Sequence, residues 1–90
     1  MPAKKSDLIR MFDRGKAEGH AYMIVVADTY SFDIFPVYCS ELDFSEKYRE
    51  ADEGPLSRAE EVYDLRAGRK KQMDSPRAFN PPAGFEIPST

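Results

Sequence analysis

The chain has 90 residues, of which 41% are hydrophobic and 32% charged, and its formal net charge is −3. This length predicts one domain, and the composition is typical of a globular protein, which excludes a wholly disordered chain. The acidic balance argues against nucleic acid as a general partner. The single cysteine, Cys39, excludes an internal disulfide and a cysteine-based zinc cluster, and it fits a reducing, cytoplasmic location.

The first segment predicts a helix that follows a short flexible N-terminus over residues 1–5. Ser6 is a good N-cap and Gly19 a good C-terminal stop, so we expect the helix over Asp7–Glu18. Its apolar residues recur at helical spacing on one face: Leu8, Met11 and Phe12. The basic start lacks the apolar core of a signal peptide, and no apolar stretch approaches the ~18 residues that a membrane span needs.

The segment His20–Cys39 predicts a β-hairpin. Apolar side chains occupy both faces of the strand that ends at Asp28, which is typical of a central strand covered on both sides. Residues Thr29–Asp33 form the turn, and Ile34–Cys39 form the second strand, antiparallel to the first. Because Pro36 has no N–H group, we expect the second strand at an edge of the sheet.

Two capping-box spacings predict two further helices after the hairpin. Asp43 with Glu46 opens the first, and Ser57 with Glu60 opens the second. One face of each helix is apolar. The apolar residues are Phe44, Tyr48 and Ala51 in the first helix, and Ala59, Val62 and Tyr63 in the second.

These elements predict an α+β protein: a small two-layer domain of residues 1–90 with the order α-β-β-α-α, in which helices pack on the antiparallel hairpin. Residues 6–74 form the folded body, and residues 75–90 form a proline-rich, irregular tail. Because a two-stranded sheet is marginally stable, we expect a third strand beside the first, either from residues 84–87 of the tail or from a second subunit. The second arrangement predicts a homodimer.

Four short segments carry a resemblance to known proteins: Met23–Thr29 (MIVVADT), Pro36–Tyr38 (PVY), Glu61–Leu65 (EVYDL) and Arg77–Phe79 (RAF). In this order they resemble a group of small uncharacterised proteins from bacteria and their phages, over about two thirds of the chain. The resemblance implies a small cytosolic protein of bacterial or phage origin. It implies no activity, cofactor or catalytic residue.

The turn of the hairpin is the best candidate for a functional surface. Its aromatic residues Tyr30 and Phe32 cannot all be buried in a turn, and they would anchor a protein partner. The carboxylates Asp28 and Asp33 either shape the turn through Asx-type hydrogen bonds or bind a divalent ion. We expect no cofactor, no metal ligand set and no catalytic residue. The candidate binding residues are Asp28, Thr29, Tyr30, Phe32, Asp33 and Tyr38.

These features predict an accessory protein without catalytic activity that acts by protein binding or self-association. One alternative is a divalent-metal or small-ligand-binding enzyme that uses Asp28 and Asp33. A weaker alternative is nucleic-acid binding through Arg66–Arg77, a basic block that is more typical of a solvated helix end. A catalytic pair of Cys39 and His20 is disfavoured, because one cysteine and one histidine at strand ends are a frequent coincidence.

Overall fold

The computed structural model describes residues 5–75 and 78–85, and within these ranges it contains three helices and a three-stranded antiparallel sheet. In chain order, the elements are α1 (Lys5–Ala17), β1 (Tyr22–Asp28), β2 (Ile34–Cys39), α2 (Phe44–Glu53), β3 (Ser57–Asp64) and α3 (Arg69–Met73). The predicted α+β class is confirmed. No helix in the described ranges is long and apolar enough to cross a membrane. The predicted flexible N-terminus lies, apart from Lys5, outside the described residues.

β1 is the central strand, as predicted, with β2 on one side and β3 on the other. Antiparallel pairing of β1 with β2 extends from Tyr22 opposite Cys39 to Ala27 opposite Ile34, which confirms the hairpin. The first five residues of β1 are buried, because helices cover both faces of the sheet. β2, which contains Pro36, lies at an edge of the sheet, as expected.

The helix predicted to begin at Ser57 is wrong, because this segment forms β3. β1 has a row of backbone N–H and C=O groups on the side away from β2, and pairing with a third strand satisfies them. That pairing outweighs the local preference for a helix start. The Ser57 hydroxyl donates a hydrogen bond to the Ala51 carbonyl oxygen at 2.7 Å, which ties the strand to the end of α2.

A β-bulge explains why the sequence of β3 has a helical pattern. Val25 pairs with Glu61 and Val26 pairs with Ala59, so Glu60 is the extra residue of β3 at the bulge. The extra residue interrupts the alternation of the strand, so buried side chains fall at the spacing of a helix. These side chains are Ala59, Val62 and Tyr63.

The third strand therefore comes from the body of the chain, and neither the tail nor a second subunit supplies it. The tail adds one parallel bridge, between Phe79 and Val62, on the outer side of β3. Of the strand predicted at residues 84–87, Gly84 and Phe85 are not in a strand, and residues 86 and 87 lie outside the described residues. The observed order is α-β-β-α-β-α.

Helices cover both faces of the sheet, so the molecule has three layers and not the two predicted. α2 lies on one face, where the Phe44 ring packs edge-on against the Tyr22 ring with centroids 5.3 Å apart. α1 and α3 lie on the other face, where the Phe12 ring packs edge-on against the Tyr63 ring with centroids 6.0 Å apart. A central strand that is apolar on both faces requires a helical layer on each side.

α1 packs closely on β2 at Gly15, where there is no room for a side chain. A methyl group there would lie 2.7 Å from the Cδ1 atom of Tyr38 and 2.9 Å from that of Leu65. We expect Gly15→Ala to lower the free energy of unfolding by about 1–3 kcal/mol despite the better helix propensity of alanine, because overpacking displaces the neighbouring side chains. Urea unfolding measures the change.

Gly68→Ala is the matched control, because its added methyl group meets open space. We expect this variant to unfold at nearly the same urea concentration as the wild type. Equal unfolding midpoints for the two variants would contradict the close contact at Gly15.

Candidate functional site

The hairpin turn is built on Asp28. Its Oδ1 atom accepts hydrogen bonds from the backbone N–H groups of Tyr30 at 2.8 Å and Ser31 at 3.2 Å. Its carbonyl oxygen accepts the Phe32 N–H, and its own N–H donates to the Asp33 carbonyl oxygen, both at 2.8 Å. Asp28 therefore makes the Asx-type bonds that shape a turn.

Phe32 completes the turn in a strained backbone conformation. Its φ of +63° lies in the left-handed region, and no other residue except glycine has a positive φ in the described ranges. For a residue with a Cβ atom this conformation costs about 1–2 kcal/mol, and for a bulky side chain it is an outlier. Glycine or asparagine would adopt it with less strain.

The apolar side chains at this end of the sheet are exposed. Tyr30 is 81% exposed and Phe32 is 66% exposed. Leu56, in the loop between α2 and β3, is 57% exposed. Its carbonyl oxygen accepts the Thr29 N–H at 2.9 Å, which joins this loop to the turn. We call Tyr30, Phe32 and Leu56 the hairpin-end surface.

Acidic residues predominate around the hairpin-end surface. Asp28 and Asp33 lie in the turn, and Glu53 ends α2 where the chain enters the loop that carries Leu56. Arg58, at the start of β3, is the one basic residue in these two segments. The surface therefore combines exposed apolar side chains with a net negative border.

Tyr38 lies away from the other candidate residues. It pairs with Met23 near the far end of β2, roughly 16 Å along the strand from Asp33. Its hydroxyl donates a hydrogen bond to the Met11 carbonyl oxygen at 2.7 Å, and its ring contacts Gly15 of α1. Burial raises the pKa of this hydroxyl. These contacts make Tyr38 a residue that holds α1 on the sheet.

The two turn carboxylates differ in how far they are free to bind a metal ion or ligand. Hydrogen bonds from the backbone of Tyr30 and then Ser31 hold the pKa of Asp28 below its usual range. Asp33 is exposed, and its carbonyl oxygen belongs to the turn. Among the described residues, no group of three or more His, Cys, Asp or Glu side chains is placed to hold a metal ion.

Cys39 and His20 lie at one end of the hairpin but on opposite faces of the sheet. The Cys39 thiol is buried in the core that α2 covers, and burial raises its pKa to about 12. The His20 ring stacks on the Tyr38 ring with centroids 4.9 Å apart, and Tyr38 packs on the α1 side. Because the thiol stays protonated and faces away from the imidazole, the two groups do not form a nucleophilic pair.

The basic block Arg66–Arg77 is partly neutralised by acidic neighbours. Arg66 lies 3.5 Å from the Asp64 carboxylate, and Arg69 binds both carboxylate oxygens of Asp13 at 2.7 and 2.8 Å. The two lysines of α3 are exposed, and the last arginine of the block lies outside the described residues. The described part of the block therefore does not form a continuous basic surface.

Two exposed apolar residues near the turn were not among the candidates. Phe35, opposite Val26 in the hairpin, is 43% exposed. Leu56 follows Gly54 and Pro55, which end α2. An apolar residue in this loop is the only feature of the sequence that could have indicated Leu56 as a contact residue. Leu56 lies near the turn because β3 pairs with β1, and this pairing was not predicted because the sequence of β3 has a helical pattern.

Acidification should loosen the hairpin turn through Asp28. The pKa of Asp28 is lower in the folded protein than in the unfolded chain, where it is about 4. The ionised carboxylate therefore stabilises the fold fully above the unfolded pKa, and this stabilisation is lost as the pH falls through the folded pKa. We expect the backbone amide signals of Tyr30 and Ser31 to shift together below about pH 4 in an NMR titration. Asp28→Asn keeps an acceptor oxygen and should remove this transition. A transition that persists in the variant would contradict the role of Asp28.

No protein-family model matches this chain, and neither a curated protein nor a solved structure matches it.

Proposed function

We propose that this protein acts by binding another protein through the hairpin-end surface, without catalysing a reaction. The observation that carries the proposal is Phe32, which is both exposed and strained. Strained backbone conformations are concentrated at functional sites, because the surrounding structure must hold them against their energetic cost.

Stability alone favours a different residue at position 32. The left-handed conformation disfavours phenylalanine by about 1–2 kcal/mol relative to its common conformations. Burial offsets little of this, because the ring is 66% exposed. Tyr30 is exposed beside it in the same turn. Exposed aromatic side chains are among those that contribute most to binding between proteins.

The chemistry of the surface indicates the kind of partner. Exposed aromatic and aliphatic side chains favour an apolar pocket on the other protein. The acidic residues Asp28, Asp33 and Glu53 favour basic side chains around that pocket, which would also speed association at low salt. The proposed partner is therefore a protein with an apolar depression bordered by lysine or arginine.

Self-association has less support than binding of a different protein. The homodimer was predicted to supply the missing neighbour of β1, and β3 occupies that position. In a two-fold dimer each hairpin-end surface would meet its own copy, so the same acidic border would face itself. Like charges across an interface disfavour such a pairing. The homodimer stays a prediction that sedimentation can test.

The two other functional hypotheses also stay open to direct tests. An enzyme that uses Asp28 and Asp33 with a divalent ion predicts a rise in melting temperature on addition of Mg²⁺ or Mn²⁺. Nucleic-acid binding through Arg66–Arg77 predicts a salt-dependent shift of an oligonucleotide on a gel. No contact among the described residues favours either hypothesis over protein binding.

Substitution of Phe32 should separate stability from binding. Phe32→Asn relieves the backbone strain and should raise the free energy of unfolding by about 1 kcal/mol, or the melting temperature by roughly 4 °C. Phe32→Ala removes the ring but keeps a Cβ atom in the left-handed region, so it should not gain this stability. Both variants should lose at least about tenfold in partner capture from a lysate of the source cell, measured by quantitative mass spectrometry.

Leu42→Ser is the matched control, because Leu42 is fully exposed in the loop at the other end of β2. It should capture the same proteins as the wild type. A protein that is captured equally by the wild type, both Phe32 variants and a Tyr30→Ser variant does not bind the hairpin-end surface, and that result for every captured protein would overturn the proposal.

A further inference from the structure

The two outer edges of the sheet differ in how their backbone groups are satisfied. We infer that the β2 edge binds an extended, basic and apolar segment of a partner protein by strand addition. This inference rests on the proposed function, in that it supplies the binding mode of a protein partner. It uses the backbone of β2, whereas the hairpin-end surface uses side chains of the turn and loop.

The outer edge of β3 is closed at successive positions. The Ala59 N–H donates to the Asp52 carboxylate at 3.2 Å. The tail covers Val62, whose N–H donates to the Ala78 carbonyl oxygen and whose carbonyl oxygen accepts the Asn80 N–H, both at 3.0 Å. These contacts leave little of this edge for a partner strand.

Gln72 closes the same edge at its far end. Its Oε1 atom accepts the Asp64 N–H at 2.7 Å, and its Nε2 atom donates to the Asp64 carbonyl oxygen at 2.9 Å. The buried side-chain amide thus takes the place of one residue of a neighbouring strand. Side chains and tail together act as the fourth strand on this side.

The β2 edge has no such cover in the described part of the chain, where β2 is the last strand on its side. The Asp28 N–H bonds across the hairpin, and the Thr29 N–H bonds to the loop before β3. The backbone groups of successive residues along β1 therefore point in turn toward β2 and toward β3. Following the register of the hairpin, the backbone groups of three β2 residues point outward. They are those of Ile34, Pro36 and Tyr38.

Pro36 makes this edge unsuitable for a second copy of β2. In an in-register antiparallel pair of two β2 strands, Pro36 would face Pro36, and neither carbonyl oxygen would have a donor. A strand of different sequence can place an N–H group opposite the Pro36 carbonyl oxygen. With Ile34 and with Tyr38 it can exchange two backbone hydrogen bonds, one to the C=O group and one from the N–H group. The edge therefore favours a different chain over self-pairing.

The side chains and charges around β2 indicate the sequence of that segment. Phe35 and Val37, on the side that α2 covers, are not fully buried and offer apolar contacts to alternate residues of an added strand. The stretch of residues 33–43 contains Asp33, Glu41 and Asp43 and no basic residue, and Arg66, 3.8 Å from Glu41, offsets part of this negative charge. An extended segment in which apolar residues alternate with lysine or arginine fits both features.

In an added antiparallel strand, the face on which a side chain lies determines whether the N–H group of that residue points toward β2 or away from it. The residues whose side chains lie beside Phe35 and Val37 turn their N–H groups away from β2, and the alternate residues turn theirs toward it. In a synthetic peptide of about nine alternating valine and lysine residues, the lysine N–H groups would bond to β2. N-methylation of the lysines should therefore abolish binding, whereas N-methylation of the valines should not.

The test uses the full chain labelled with ¹⁵N and these three peptides. With the unmodified peptide, we expect the Ile34 and Tyr38 amide signals to shift and their hydrogen exchange to slow by at least about tenfold at saturation. The Val26 amide, already bonded inside the sheet, is the internal control. Pro36→Val adds an outward N–H group and should tighten peptide binding by about fivefold.

Three results would overturn strand addition. They are equal binding of both N-methylated peptides, an unchanged affinity in Pro36→Val, and the absence of any shift at Ile34 and Tyr38. Shifts confined to Tyr30, Phe32 and Leu56 would also reject the β2 edge while supporting the hairpin-end surface. The capture assay with the Phe32 variants tests that surface separately, so failure of one idea is distinguishable from failure of the other.

Discussion

The central position of β1 is the constraint on which the rest of this structure depends. A strand whose side chains are apolar on both faces needs a layer of helix above and below it. Its backbone needs a neighbour on each side, because unpaired N–H and C=O groups in a core are costly. α1 and α3 cover one face, α2 covers the other, and β2 and β3 pair with the two edges. A 90-residue chain meets all four requirements with elements of five to thirteen residues.

The first half of the fold could be predicted from sequence because its signals are local. A continuous apolar run with β-branched residues marks β1, the turn follows directly, and Pro36 marks an edge strand. β3 could not be predicted in the same way, because the bulge at Glu60 places Ala59 and Val62 at helical spacing. Its strand character comes from its neighbour β1, and so from a pairing between distant residues that a local pattern does not contain.

The candidate site shows the same division between local and distant information. The turn and its exposed aromatic residues could be predicted, and so could the Asx-type role of Asp28. The strain at Phe32 could not, because a φ angle follows from the way the whole turn closes. The place of Leu56 beside the turn depends on the register of β3 and was equally hidden. Tyr38 shared the aromatic character of the turn residues but contributes to packing of α1 instead.

The closure of β3 by residues from the end of the chain bears on synthesis. A ribosome releases the N-terminal part first, so β1, β2 and β3 can form their sheet before Ala78 and Asn80 emerge. During that interval Val62 has no partner for its outward backbone groups, because those two residues supply it. The nascent chain thus passes through a stage in which the β2 edge and the Val62 position of β3 are both available for pairing. Shielding of Val62 therefore comes after the sheet can form, and a chain cut short before Ala78 would leave these backbone groups open to another strand.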